Sequence, residues 1–469
     1  MESGFLGQAY MSRSRFTEGE RLINLYPFVT DKNIAGFIAC PGFSVYCDLG
    51  TDQEVRALHE TKKGKLYAVS GNKVFYIQDG NKTEIGTIYS SSGQVEISSN
   101  PTQLFVVDGS SGYIVSLDTN TFSVIADGDF PSGTTTNVFC ETYTICAIED
   151  TQSIQISSQN DSSSWDSLDF TSAESFPDNV VRLGVLRREL YAFGTKSVEI
   201  FARDYSSSFA FSRLGNIFIE AGIYAPKSLA RVKDIFCFLG QNEEGGNNIY
   251  IIQNYQLDEI STPAIHYALE KMTTTSDAIG FCYQQDGGSF YCLVLPTEGK
   301  CFAYDFSVKQ WHERAFFENG NYTRYRANCC AYHDRKTLVG DYSNGLIYQL
   351  DLDVHDYNGT PRRWLRTWNI PKAENKLVEV SNLSLMAEMG VGLDGTNDNT
   401  DPVVSLRVSK DAGFTFTSEL TRKIGKIGET KTAARWNRIG QARNPCFELT
   451  GSHAVKTVLI DMTMDIEVL

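Results

Sequence analysis

The sequence lacks the features that mark membrane, disulfide-rich and zinc-binding proteins. Nowhere do eighteen consecutive apolar residues occur, so no membrane-spanning helix is predicted. The 11 cysteines include no C-x-x-C pair, which excludes zinc-ribbon and thioredoxin-like sites. An odd number of cysteines favours reduced thiols over a disulfide framework. The amino terminus has no apolar core of the signal-peptide kind, and we therefore expect synthesis in the cytoplasm.

Basic residues are also scarce. The chain has 42 Lys and Arg against 57 Asp and Glu, a formal net charge of −15. Proteins that grip nucleic acid present a basic stripe to the phosphates, and the sequence contains none. An acidic surface is instead suited to letting DNA slide past without being held.

Motifs for catalysis or metal binding are missing as well. The sequence has no G-x-S-x-G elbow and no Walker A loop. A Ca²⁺-loop-like stretch, Asp394–Asp401, lacks the Gly at position six and the closing Glu. We therefore predict no catalytic residues, no metal site and no cofactor. The six histidines show no metal-binding spacing: His59, His266, His312, His333, His355 and His453.

What the sequence has in quantity is short apolar runs bounded by turn residues. Its 38 Gly, 23 Tyr and 28 Phe favour strands and tight turns. Only residues 263–273, "PAIHYALEKMT", predict a helix. A hairpin pattern recurs seven times, and its aligned positions are 38 to 55 residues apart: Tyr67, Phe105, Ile145, Tyr191, Phe236, Tyr291 and Leu338.

A period of 40–50 residues in all-β sequence is typical of four-stranded propeller blades. We predict an all-β protein with a β-propeller of six or seven blades over residues 43–361. Residues 43–49, "FSVYCDL", would supply the last blade's missing strand and close the ring. Residues 1–42 would form an amino-terminal arm, and residues 362–469 a C-terminal β-sandwich-like domain. A stack of unrelated sandwiches would give the same spacing.

Two features resemble parts of sugar-cleaving enzymes. "SKDAGFTF" (Ser409–Phe416) matches the Asp-box turn of sialidase-like propellers with Phe in place of Trp, and we interpret it as a structural turn. The arginines that a sialidase would need form two neighbouring pairs instead of lying on three separate blades. A glycoside hydrolase acting through two carboxylates stays the alternative. The pairs are Arg187 with Arg188 and Arg324 with Arg326.

The stretch Ser164–Val181, "SWDSLDFTSAESFPDNVV", combines a Trp, four carboxylates and a Pro-Asp turn. It falls between two hairpin repeats, so we interpret it as a blade junction. In that position Trp165 would pack between sheets, Asp178 would form a turn, and the acidic side chains would face solvent.

Four segments together resemble the phage packaged-DNA stabilisation proteins, the tail hub or nozzle proteins of short-tailed bacteriophages. The resemblance covers nearly the whole chain in register. It is carried by "ERLINLYPF" (Glu20–Phe28), "CPGFSVYCDLG" (Cys40–Gly50), the blade junction from Ser162 to Phe201, and "SKDAGFTF" followed by "RWNRIGQARNPCFELTG".

The resemblance implies a structural virion protein without enzymatic activity, located in the virion tail. Its implied partners are five further copies in a homo-hexamer, the portal adaptor (head-to-tail connector) ring, a tailspike or tail fibre, and a tail needle or plug. Double-stranded DNA would pass without specific binding, and packaged DNA would be retained until genome ejection. A monomeric adhesin-like propeller is a third interpretation.

Overall fold

The chain folds almost entirely into β-strands in a computed structural model. The single α-helix of the described residues, α1 (Pro263–Glu270), lies where the sequence predicts a helix. The Thr262 side chain caps it by accepting a hydrogen bond from the amide of Ile265. The structure describes residues 4–7, 20–30, 33–173, 178–206, 209–215, 217, 219–241, 245–370 and 376–469.

No helix in these ranges combines the length and the apolar character needed to cross a membrane.

Seven small antiparallel sheets, called blades 1 to 7 in chain order, follow one another along the chain. Four strands precede blade 1: β1 (Arg21–Ile23), β2 (Leu25–Thr30), β3 (Asn33–Ala39) and β4 (Gly42–Asp48). Blades 1 to 3 consist of β5 (Val55–Glu60), β6 (Leu66–Ser70), β7 (Lys73–Gln78) and β8 (Asn81–Thr87); β9 (Glu96–Ser99), β10 (Gln103–Val107), β11 (Gly112–Ser116) and β12 (Phe122–Val124); and β13 (Thr134–Cys140), β14 (Tyr143–Ile148), β15 (Ser153–Ser158) and β16 (Asp161–Ser172).

Blade 5 differs from the others because its innermost strand is interrupted. Two short strands pair with the same neighbour, and a 3₁₀ turn, η1 (Pro226–Ser228), lies between them. Blades 4 and 5 consist of β17 (Val180–Leu186), β18 (Glu189–Gly194), β19 (Val198–Arg203) and β20 (Phe211–Arg213); and β21 (Gly222–Ile223), β22 (Ala230–Val232), β23 (Ile235–Gln241), β24 (Asn247–Gln253) and β25 (Gln256–Glu259).

Blade 7 takes its fourth strand from the other end of the propeller. Strand β4 runs antiparallel to the last strand of blade 7, with Ser44 opposite Gln349. Blades 6 and 7 and the short strands near them are β26 (Ile279–Gln285), β27 (Gly288–Leu295), β28 (Lys300–Asp305) and β29 (Gln310–Glu313); β30 (Phe316–Glu318) and β31 (Asn321–Thr323); β32 (Ala327–His333), β33 (Lys336–Asp341) and β34 (Leu346–Asp351); and β35 (Asp356–Tyr357) and β36 (Thr360–Pro361).

The apolar residues of the blades form seven separate cores, one between each pair of neighbouring blades. One of them joins the last blade to the first, where Leu338 and Ile347 pack with Val55 and Leu66. The side chain of Asn328 in β32 also donates to the carbonyl of Val55, at 3.1 Å. A row of unrelated sandwiches would have no such closing core, so the seven sheets form a closed β-propeller.

The C-terminal part is a two-sheet sandwich, as predicted. One sheet has the order β1-β37-β42-β39-β40 and the other β2-β3-β43-β38-β41. Trp368, Leu383, Trp436 and Phe447 are fully buried between them. Its own strands are β37 (Trp364–Asn369), β38 (Val378–Ala387), β39 (Val403–Ser409), β40 (Leu420–Lys423), β41 (Ala434–Ala442), β42 (Cys446–Gly451) and β43 (Val458–Val468).

The first 42 residues differ from the arm described in the sequence analysis. Within them, Arg21–Ala39 forms three strands that add to both sheets of the sandwich. The physical reason is burial, because Leu22, Leu25 and Phe37 complete the apolar core between those sheets. Residues 1–3, 8–19 and 31–32 of this segment lie outside the described residues.

Candidate functional site: the junction between propeller and sandwich

Strand β1 joins the two domains into one continuous sheet. It pairs in parallel with β29 of blade 6, Ile23 opposite Glu313, and antiparallel with β37 of the sandwich, Leu22 opposite Arg366. The result is a nine-stranded sheet that runs from blade 6 through β1 to β40. Because backbone hydrogen bonds cross the boundary on both edges of β1, the propeller and the sandwich are coupled directly.

Asn24 is the central polar residue of this junction. It is fully buried and has a left-handed backbone, with φ of 56°. Its side-chain amide donates to the carbonyls of Ala315 (2.9 Å) and Arg363 (2.7 Å). Its side-chain oxygen accepts from the amide of Ala315 (3.0 Å) and the hydroxyl of Tyr357 (3.2 Å). One side chain therefore ties together the end of blade 6, the blade 7 extension and the start of the sandwich.

An ion pair lies beside Asn24. The guanidinium of Arg21 donates two parallel hydrogen bonds to the carboxylate of Glu313, at 2.8 and 2.7 Å. Although burial acts to raise the pKa of Glu313, the adjacent Arg21 holds that pKa below its usual value. Such two-pronged geometry fixes the relative position of the two strands.

Two buried arginines complete the junction. Arg366 of β37 donates to the carbonyls of Phe5 (2.6 Å) and Gly7 (3.0 Å), and so holds the described amino-terminal residues against the sandwich. Arg362 donates to the carbonyl of Cys40, just before β4. Sequence reasoning did not identify these residues, although both lie in the "RRWLRTWN" run. Buried arginines with carbonyl partners have no sequence signature of their own.

The stretch Ser164–Val181 is a blade junction, and Trp165 packs between sheets as predicted. Trp165 lies in β16, the outer strand of blade 3, and is buried against Phe105 and Phe130 near blade 2. Its indole N–H donates to the carbonyl of Ser162 at 2.9 Å.

The prediction that the acidic side chains of this stretch face solvent is correct for Asp166 and Asp169 but wrong for Asp178. Asp178 is buried, and its carboxylate accepts hydrogen bonds from the amides of Lys196 (2.7 Å) and Ser197 (3.1 Å). It holds the turn between β18 and β19, because buried amides need acceptors. Residues 174–177, including the rest of the predicted Pro-Asp turn, lie outside the described residues.

The Asp-box stretch is a structural turn. Ser409 donates to the carboxylate of Asp411 at 2.6 Å, and Asp411 accepts from the amide and hydroxyl of Thr415 at 2.8 and 2.6 Å. These hydrogen bonds lower the pKa of Asp411 to about 2. Both oxygens of the Asp411 carboxylate accept hydrogen bonds from residues of the same turn.

The structure does not gather the four arginines into one cluster. Arg187 and Arg188 lie in the turn after β17. There Arg187 pairs with Asp234 at 3.4 Å, and Arg188 pairs with Glu141. Arg326 lies 3.6 Å from Asp341 in blade 7. Of these four arginines, Arg324 alone lines the cavity at the centre of the propeller. A three-arginine carboxylate site of the sialidase type is therefore not formed by these residues.

Dinucleotide and metal sites find no support in the described ranges. Residues 390–395 read G-x-G-x-x-G, but they follow β38 and lead into a loop, not into a helix. No three His, Cys, Asp or Glu side chains of the described residues are placed to hold a metal. His59 bonds to Ser99 at 2.9 Å, and His333 bonds to Glu60 at 3.0 Å.

A cavity of about 540 Å³ lies on the propeller axis, and residues of six blades line it. Arg182 pairs there with Glu96, and Asp277 accepts from the amide and hydroxyl of Thr297 at 2.9 and 2.7 Å. Cations outnumber carboxylates on its wall, and two of its three carboxylates, Glu96 and Asp277, are engaged in the contacts just given. The charged lining residues are Arg56, Arg182, Lys227, Arg231 and Arg324, with Glu54, Glu96 and Asp277.

Comparisons with known proteins identify the same two units. Residues 20–355 match the family model described as the bacteriophage P22 Gp10 β-propeller, and residues 363–467 match that of the Gp10 β-sandwich. The tail hub protein gp10 of Salmonella phage P22 is 21% identical over 268 residues. That match covers 54% of this chain and 56% of the relative, little more than half of its length.

Two solved structures match the chain at low identity and low TM-score. The computationally designed Ika8 protein matches at 11% identity and a TM-score of 0.40, over 65% of this chain and 99% of that one. The N-terminal domain of Nup159 matches at 10% identity and a TM-score of 0.42, over 70% and 98%. The two family models together span both domains, and the chain therefore belongs to the bacteriophage P22 Gp10 family.

Proposed function

We propose that this chain is the tail hub of a short-tailed phage, a structural virion protein that acts without catalysis. Six copies would form a ring below the portal adaptor and hold the tailspikes or fibres and the tail needle or plug. The ring would help to retain packaged DNA and would form the channel for its ejection. We further propose that the chain is made in the host cytoplasm before it enters the virion tail.

The observation that carries this proposal is the family match over both domains in their order along the chain. The P22 relative is named as a tail hub protein. The residues of the amino-terminal motif, Arg21 and Asn24 among them, form the junction described above. A continuous sheet joins the two domains, so they are expected to behave as one connected part of the tail.

The negative net charge of the chain supports the proposal that DNA passes through the ring without being bound. At −15 per chain, six copies would carry about −90, and a lumen lined by such subunits would repel phosphates. A permanent ring also needs head-to-tail contacts that close by rotation. Each of these interfaces is expected to bury upwards of about 2,000 Å².

The test is the assembly state of the full chain. Its mass in solution should be measured alone and after mixing with purified portal–adaptor complexes, and the mixtures should be imaged by negative-stain microscopy. We expect a six-fold ring, with the adaptor present if the chain alone stays monomeric. A monomer in every mixture would contradict the proposal.

The same preparation distinguishes the other functional classes. A glycoside hydrolase would release reducing ends from host surface polysaccharide, and a monomeric adhesin would bind host cells without forming a ring. We expect neither activity from the purified chain. Release of reducing ends in proportion to the added protein would replace the structural proposal by an enzymatic one.

A further inference from the structure

The interruption in blade 5 places a lysine on the propeller axis. Lys227 is the middle residue of η1, and it lines the axial cavity. The turn is held firmly: the hydroxyl of Ser228 donates to the carbonyl of Ala225 at 2.6 Å and accepts from the amide of Leu239 at 2.8 Å. The hydroxyl of buried Tyr291, from blade 6, donates to the carbonyl of Ser228 at 2.9 Å.

Blade 6 leaves space for this turn. A Cβ atom at Gly280 would lie 2.0 Å from the carbonyl oxygen of Ser228, so a side chain there would collide with η1. The neighbouring strand is therefore shaped around the turn that carries Lys227. A break in a strand usually weakens a blade. Here hydrogen bonds within blade 5 and from Tyr291 of blade 6 support the interrupted strand.

The cavity brings positive charges together. Burial lowers the pKa of Lys227, and the nearby guanidinium groups of Arg56, Arg182 and Arg324 lower it further, while Glu54 opposes them. Within the described residues, the ammonium of Lys227 has no hydrogen-bond or ion-pair partner. The guanidinium of Arg324 donates to the side-chain oxygen of Asn328 at 2.8 Å, but its buried Nε has no acceptor. Crowded cations with unsatisfied donors, such as Lys227 and the Nε of Arg324, are costly unless an anion neutralises them.

We propose that the axial cavity binds a small molecule that carries a phosphate group, held by Lys227 and Arg324. Proteins commonly bind phosphate groups with an arginine guanidinium, which donates two parallel hydrogen bonds, and a lysine ammonium, which supplies a compact positive charge. A volume of about 540 Å³ has room for a diphosphate or a phosphorylated metabolite. Because the two residues come from blades 5 and 7, the bound anion would link the two blades that flank blade 6 and stabilise the ring there.

Isothermal titration calorimetry on the full chain, in a chloride buffer, tests the proposal. Inorganic phosphate, pyrophosphate and adenosine diphosphate are titrated separately, which distinguishes a free anion from an organic phosphate. We expect saturable 1:1 binding of at least one of them. We also expect its addition to raise the melting temperature in a concentration-dependent way.

Variants locate the site. Lys227→Met keeps the apolar stem and should weaken binding by about tenfold, and Asp277→Asn removes a carboxylate from the same cavity and should tighten it. Lys62→Met makes the same charge change at an exposed position and should leave the affinity within about twofold of the parent. Melting curves followed by circular dichroism check that each variant is folded. If Lys227→Met does not fold, the affinity of Asp277→Asn decides whether the anion binds in the axial cavity.

Three outcomes would overturn the inference. The first is the absence of saturable binding with all three compounds. The second is equal weakening by Lys227→Met and Lys62→Met, which would mean unspecific charge attraction. The third is weaker binding or no change in Asp277→Asn, which would place the anion outside the cavity.

Discussion

At the scale of single residues, the junction depends on one buried amide. The Asn24 side chain makes four hydrogen bonds with groups of both domains. The residue also adopts a left-handed backbone conformation that most residues avoid. Few substitutions can supply both properties. The residue is therefore a sensitive point of the interface between propeller and sandwich.

Asn24→Ala should lower the free energy of unfolding by about 2–4 kcal/mol. The change leaves a buried amide of Ala315 and two carbonyls without partners and adds strain at a positive φ. Equilibrium unfolding in urea measures the difference. Asn81→Ala, at an exposed position, is the control and should change stability by less than about 0.5 kcal/mol. Equal effects of the two substitutions would contradict the role given to Asn24.

Histidine burial makes the stability depend on pH. Burial lowers the pKa of His59 to about 4, from an ordinary value near 6.5. Between these values the unfolded chain binds a proton that the folded chain does not bind, so stability falls as the pH decreases from about 6.5 to about 4. The effect of this residue is roughly 2–3 kcal/mol.

His59→Gln should flatten the stability curve in that window. The glutamine amide can keep the bond to Ser99 and does not titrate. Urea unfolding at several pH values between 4 and 7 measures the slope. Some slope should remain, because burial also lowers the pKa of His312 and His355. His453→Gln is the control, and an unchanged slope in His59→Gln would refute the assignment.

At the scale of elements, the closing strand β4 joins the two ends of the ring. Phe43 in β4 is 2% exposed and packs against Tyr325, Tyr348 and Tyr357, with ring centroids 4.5 to 5.5 Å apart. This cluster fastens a strand from before blade 1 onto blade 7. Without it, β34 would present an unpaired edge.

Phe43→Ala should lower the free energy of unfolding by about 3–5 kcal/mol, because it removes a large buried ring from the closing blade. Hydrogen exchange should also increase first in β34 and β4, the strands that the ring holds together. Tyr332→Ala, at a ring that is 58% exposed, is the matched control and should have little effect. Faster exchange spread evenly over all seven blades would argue against a special role of the closure.

At the scale of the whole molecule, charge opposes assembly. Each chain carries a net charge of −15, so neighbouring copies in a ring repel one another. Apolar and hydrogen-bonded contacts must exceed this repulsion for the proposed hexamer to persist. The balance depends on ionic strength because salt screens exposed charges within about 8 Å at 0.15 M.

Raising sodium chloride from about 20 to 200 mM should therefore shift the chain from smaller species towards the proposed ring. Sedimentation velocity at constant protein concentration measures the distribution. Sodium chloride and sodium sulfate compared at equal ionic strength separate screening from anion binding in the axial cavity. Dissociation of the ring by added salt would show that attractive ion pairs, not repulsion, control the interface.

The sequence by itself determined the elements and their repeat. Apolar runs of strand length, turns rich in Gly and Asn, and a period near 45 residues follow from local chemistry, and each four-stranded blade buries its faces against the next. Trp165 and the Asp-box turn were predictable for the same reason, since their partners lie on the same blade junction or in the same turn.

Apart from the predicted pairing of residues 43–49 with the last blade, only the tertiary structure decided which distant residues meet. The number of blades, the addition of Arg21–Ala39 to the sandwich, the burial of Asp178 and the position of Lys227 on the axis all depend on contacts between distant segments or on interruptions within a strand. A buried carboxylate and an exposed one have the same letter in the sequence. What separates them is the set of amides that the fold brings within hydrogen-bonding distance.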